Sequence, residues 1–165
     1  MATPTYEPIA TTTLGTATNS YTFTSISGSY TDLVLVVRGQ FASGTDYPVY
    51  QFNSDTTNSY SETTLRGEGT TAQSSRAANR AFTTTNSYGA TTSQPFMFYS
   101  HIMNYSNTHS YKTLLTRWSN SAVEVAALVG LWRKTNAITS IKVYGLTGNT
   151  FAVGSTFTLY GIKAA

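Results

Sequence analysis

At 165 residues the chain has room for one domain with a real core, and its 31 Thr, 19 Ser, 12 Tyr and 8 Phe stand against only 10% Asp, Glu, Lys and Arg. The net charge of +3 comes from scattered Lys and Arg and not from a basic tract, which argues against the dense cationic footprint that nucleic acid requires. The lack of cysteine excludes disulfides, zinc–thiolate centres and thiol catalysis, and no window approaches the roughly 18 apolar residues of a membrane span, so no membrane insertion is expected.

Residues 1–8 lack the basic and apolar regions of a signal peptide and read as an N-terminal arm, with synthesis expected in a host cytoplasm. From there, short apolar and aromatic runs recur between clusters of Gly, Asn, Ser, Thr and Asp. They predict about nine strands, over 6–14, 21–26, 32–40, 49–53, 96–105, 111–118, 123–134, 138–146 and 155–163. Spacing without amphipathic helices between the runs favours an all-β, jelly-roll-like sandwich over βαβ units.

Leu33-Val34-Leu35-Val36-Val37 is continuously apolar and reads as a central strand buried on both faces, with Leu33, Leu35 and Val37 opposite Val34 and Val36. A second such run, Val123 to Trp132, contains two alanines but also Gly130, which costs a helix interior about 1 kcal/mol, and valines that suit a pleat. It is expected to be a strand.

Residues 54–93 differ: they are rich in Ser, Thr, Asn, Ala and Gly, with Leu65 and Phe82 their only large aliphatic or phenylalanine side chains. They read as one long polar loop excursion from the single domain 1–165, and long loops inside compact domains tend to be functional. Arg66, Arg76 and Arg80 are its partner-contact candidates, because guanidinium groups suit bidentate recognition of carboxylates. Tyr88, Tyr105 and Tyr111 flank turns and are the candidate exposed aromatics, while Trp118 and Trp132 lie in apolar strands and are expected in the core.

No catalytic constellation stands out. Nothing in the spacing of the seven acids selects a glycosidase pair, and His101 in an aromatic strand is expected to be structural, with only His109 as a second histidine. Asp46, Asp55 and Asn53 are conceivable calcium donors, but no EF-hand spacing is present, and neither a metal nor a cofactor is expected.

Several segments resemble a group of small tailed-phage virion proteins: residues 6–14, 30–36, 51–55, Tyr60-Ser61, 65–69, 138–141 and above all Gly154-Ser155-Thr156-Phe157-Thr158-Leu159-Tyr160-Gly161-Ile162. The resemblance covers nearly the whole chain. It implies a jelly-roll-like sandwich whose last strand carries the GS-x-F-x-LYGI pattern, as in capsid decoration (cement) proteins and the ends of tail-fibre proteins, and it brings no catalytic residues with it. Because the chain begins almost directly with a strand, the expectation is a decoration protein in the virion. Its partner would be the major capsid protein or another virion protein, and it would be a homo-oligomer, a homotrimer favoured. The alternative is a receptor-binding or tail-fibre-tip module for host-surface glycan.

Overall fold

Alternation along the runs dictates which side chains turn inward. The computed structural model describes residues 5–85, 89–121 and 123–163, and its elements are all strands. They are β1 (Tyr6–Thr13), β2 (Ser20–Phe23), β3 (Asp32–Gly39), β4 (Thr45–Asp46), β5 (Pro48–Phe52), β6 (Tyr60–Gly67), β7 (Ala72–Arg80), β8 (Thr83–Thr84), β9 (Ala90–Thr91), β10 (Phe96–Met103), β11 (Lys112–Asn120), β12 (Val125–Trp132), β13 (Ile141–Gly145) and β14 (Thr156–Ile162).

An antiparallel eight-stranded sheet, ordered β1-β14-β3-β10-β11-β12-β6-β7, packs over a four-stranded sheet, β2-β13-β5-β8, with β4 and β9 as a short ribbon. The all-β sandwich predicted from the sequence is what forms. Each of the nine predicted segments contains a strand, and the run from Val123 is extended, not helical. The core between the sheets takes Leu33, Leu35, Val37, Phe98, Trp118 and Phe157 from the large sheet and Phe23, Tyr50, Phe52, Ile141 and Val143 from the small one. Aromatic rings fill it: Phe41 stacks on Phe151 and Phe96 on Trp118, each pair 5.1 Å apart, contacts worth about 0.5–1.5 kcal/mol beyond their area. The fully buried Tyr50 hydroxyl shares hydrogen bonds with Ser100 (2.6 Å) and Thr116 (3.1 Å), tying the small sheet to β10 and β11. Burial pushes this phenol up to about 12, despite the opposing hydrogen bonds from those two hydroxyls.

The resemblance motif has a structural explanation. Gly154 holds φ +86° in the turn before β14, a conformation that costs glycine no steric strain. Phe157 and Leu159 then enter the core, fully buried. Gly161 lies so close beneath the Tyr30 ring that a Cβ there would come within 2.3 Å of it. Asn53 and Ser54, both at positive φ, turn the chain after β5, and Asn53 Oδ1 accepts N–H groups from Thr139 (2.8 Å) and Ser140 (3.1 Å).

Three expectations need correction. Residues 54–93 are not a loop: β6 and β7 form an antiparallel hairpin that extends the large sheet by two strands, and β8 and β9 also fall in this range. Its inward positions are Tyr60, Glu62 and Thr64, all buried. Glu62 is satisfied by the Thr84 N–H (3.0 Å) and hydroxyl (2.5 Å), so burial here is polar and leaves no apolar alternation to detect. The N-terminal arm is likewise strand from Tyr6 onward, paired with β14; residues 1–4 lie outside the described residues. Finally, β12 is not buried on both faces, since Val125 and Val129 remain 63% and 55% exposed.

Candidate functional site

Strand alternation sends Ala126, Leu128 and Trp132 of β12 into the core and Val125, Ala127, Val129 and Leu131 to the outer face of the large sheet. Register aligns these with Leu65 and Thr63 of β6, with Leu115 and Arg117 of β11, and, beyond β6, with Arg76 and Ser74 of β7. The small sheet lies on the opposite side, and among the described residues no layer covers this face. Leu65 is 61% exposed. Two open grooves run along the face. One, of about 790 Å³, is lined by Leu65, Ser74, Arg117, Val125 and Ala127; the other, of about 430 Å³, by Thr63, Arg76, Thr113, Val129, Leu131 and Arg133.

The rim is cationic. Arg117 is exposed and its guanidinium sits 5.6 Å from the Tyr99 ring centroid, an arrangement that fixes the charge without neutralising it. Arg133 donates to the Asn58 carbonyl (2.6 Å) and to Asn79 Oδ1 (3.1 Å), both neutral acceptors. Arg76 is exposed on β7, which is the free edge of the sheet and is exposed on both faces over most of its length.

The structure separates the residues selected from sequence. Arg76 borders the smaller groove, and Arg80 is exposed at the end of β7 with its guanidinium 5.8 Å from the Phe82 ring centroid. Arg66 turns the other way: it is bonded to Gln73, lies 3.3 Å from Glu68 and 3.6 Å from the fully buried Glu124, and its side chain is only 16% exposed. It is a structural cation. Tyr105 is fully buried, its hydroxyl bonded to the Ser27 carbonyl, so it is a core residue and not an exposed contact. Tyr111 is 52% exposed, as expected of a contact aromatic; Tyr88 lies outside the described residues. Trp118 and Trp132 are buried, as their strands implied. Sequence reasoning missed Leu65, Val125, Ala127 and Val129. In β12 the signal was present as an apolar run, but only the position of the second sheet distinguishes a covered face from an open one.

The ionisable groups elsewhere are occupied by the fold. Asp32 accepts the Asn104 N–H (2.6 Å) and bonds His101 Nε2 (2.8 Å), joining β3 to β10. The conceivable calcium donors are spent on protein groups. Asp46 accepts N–H from Tyr47 (2.7 Å), Thr147 (2.8 Å) and Asn149 (2.9 Å). Asp55 binds Ser59, Thr57 and Trp132 Nε1 (2.7 Å). Burial alone would raise its carboxyl, but hydrogen bonds from Ser59, Thr57, Trp132 and the Thr57 backbone outweigh it and hold the group at about 2. Among the described residues there is no cluster of three His, Asp or Glu able to hold a metal ion. Lys112 is buried, with its ammonium on the Ser110 (2.8 Å) and Thr135 (3.1 Å) carbonyls; burial lowers its pKa.

No protein-family model matches the chain, and no curated protein matches it either.

Proposed function

We propose that this chain is a structural protein of a phage virion that works by binding, most specifically as a capsid decoration protein. The virion setting rests on the GS-x-F-x-LYGI strand and the other segments that resemble such proteins. One structural observation supports the binding part: the uncovered outer face of β12, β6 and β7, with apolar side chains more than half exposed at Leu65, Val125 and Val129. Contiguous apolar surface of this kind is characteristic of interaction sites and is a liability on a protein that has no partner. The carboxylates and His101 are engaged in holding the fold, which leaves the open face as the feature in search of a role.

In this reading the protein binds across neighbouring subunits of an assembled shell and so adds free energy to the assembled state alone. Association into trimers would multiply weak contacts by avidity. The test is cosedimentation of the purified protein with emptied phage capsids, its own mass being measured by light scattering. Saturable binding in many copies per shell is the expected result. Attachment to host cells with no capsid binding would replace decoration by a receptor-binding role at the tail.

A further inference from the structure

The large sheet, with eight strands against four, is wider than the small one. β8, the last strand of the small sheet, lies against β6 through the Thr84–Glu62 hydrogen bonds, so β7 overhangs it. Register sets Ser75 opposite Thr64, Ala77 opposite Glu62 and Arg80 opposite Tyr60, which puts all of them on the inner side of the hairpin, away from the outer face. Between this overhang and Tyr47 and Leu146, which are themselves joined by the Leu146 N–H and the Tyr47 carbonyl (3.0 Å), lies a cleft of about 360 Å³. Its volume falls within the range of small-molecule sites, about 300–1,000 Å³.

The polar groups that line this cleft are fixed in place but incompletely paired. Glu7 is 2.7 Å from Lys163, and Glu68 and Glu124 face Arg66, but the buried Glu62 has no Lys or Arg within 4.0 Å among the described residues. Thr84 takes one position on each Glu62 oxygen and so orients the carboxylate; a carboxylate accepts about four hydrogen bonds, which leaves capacity toward the cleft. The hydroxyls of Tyr47, Ser75 and Thr64, the last in a residue only 5% exposed, have no hydrogen-bond partner among the described residues. Arg80 is held near the Phe82 ring with no carboxylate within 4.0 Å among the same residues. The half-buried Tyr47 and Leu146, 37% exposed, add apolar surface to one wall.

This combination selects the chemistry of a ligand. An anion in the cleft faces the Glu62 carboxylate and a cation faces the Arg80 guanidinium, so neither is favoured. A neutral molecule with several hydroxyls donates to the carboxylate, accepts from the guanidinium and meets the Tyr47, Thr64 and Ser75 hydroxyls in either sense. We propose that the cleft binds one neutral pyranose unit of a glycan, with Glu62 accepting from its hydroxyls, Arg80 donating to another, and Tyr47 and Leu146 packed on the C–H face of the ring. This goes beyond the shell-binding role. The cleft lies on the side of the large sheet opposite the outer face, so a protein docked through that face keeps it free, and many copies on one shell would multiply a weak sugar contact by avidity.

The test is titration of the intact, isotope-labelled protein with the methyl glycosides of glucose, galactose, mannose and N-acetylglucosamine, followed by amide NMR. Cosedimentation with capsids reads the other face and tests the shell-binding role separately. At least one glycoside should bind saturably, with a Kd of about 1–10 mM, and move the amide signals of Glu62, Thr64, Ser75 and Arg80. Thr64→Val exchanges an unpaired hydroxyl for a methyl and should weaken binding about fivefold with an unchanged melting temperature. Ser75→Phe fills the cleft from an exposed strand position and should abolish binding while the fold is kept, so it remains decisive if Thr64→Val lowers stability. The proposal is overturned if none of the four glycosides binds up to about 50 mM, if the signals that move belong to residues away from the cleft, or if Ser75→Phe binds as the wild type does. Tighter binding of sodium glucuronate or methylammonium than of every neutral glycoside overturns it as well.

Discussion

Val129→Thr exchanges one methyl group for a hydroxyl and keeps the shape and the β-branching, so it isolates the solvation of a single position. With 55% of Val129 exposed in the free protein, the new hydroxyl reaches water and the folding free energy should change by less than about 0.5 kcal/mol. A partner that covers the face removes that exposed half from water. Full burial of a valine side chain is worth about 1.5–3 kcal/mol, so the remaining half is worth about 1 kcal/mol, and the desolvated hydroxyl adds to the loss. Val125, 63% exposed, should behave alike, and the double variant should bind emptied capsids about thirtyfold more weakly. The matched control is Val143→Thr, the same exchange at a fully buried core position, which should cost about 1–3 kcal/mol of stability. Urea unfolding measures one quantity and cosedimentation the other. The reasoning is refuted if Val129→Thr destabilises the fold as much as Val143→Thr, or if the double variant binds capsids with unchanged affinity.

The arginines should divide in the same way. Arg66→Ala removes the guanidinium 3.6 Å from the fully buried Glu124 and should lower stability by about 2–3 kcal/mol, whereas Arg76→Ala and Arg80→Ala should stay within about 0.5 kcal/mol in urea unfolding. Asp55 has a folded pKa of about 2 against an ordinary 3.8. Its contribution is therefore complete above about pH 4 and is lost as pH falls through 2; after allowance for solvent screening it amounts to about 1–2 kcal/mol. Urea midpoints at descending pH should fall less steeply for Asp55→Asn than for the wild type, and parallel slopes would show that the carboxylate is not what the acid limb reports. Gly161→Ala should lower the melting temperature by forcing the Tyr30 ring off β14; an unchanged value would mean that the ring moves without cost.

The pattern of apolar runs and turn residues was enough to place β1, β2, β3, β5 and β10 to β14, because each presents large side chains at a strand's period. The same pattern assigned Trp118 and Trp132 to the core, where the tertiary structure places them, while His101, expected to be structural, lies 2.8 Å from Asp32. It failed at β6 and β7, where the inward positions are Tyr60, Glu62 and Thr64 and where β7 has no covered face at all. A strand stabilised by its hydrogen-bond ladder and a buried carboxylate, with few large side chains, has the composition of a loop. Tyr105 failed for a related reason: its place beside a turn suggested exposure, but its ring is folded into the core and its hydroxyl satisfied by Ser27.

Sequence by itself therefore determined the class of fold, most of its strands and the scarcity of charge, since these depend on residue type and local period. Which of the two faces of β12 is left open was decided by tertiary structure, because alternation divides a strand's side chains into two sets without saying which set a second sheet will cover. The pairing of all seven acids was decided there too. Whether Arg66 is spent and Arg76 is not depends on distances between groups far apart in the chain, and no local pattern encodes them.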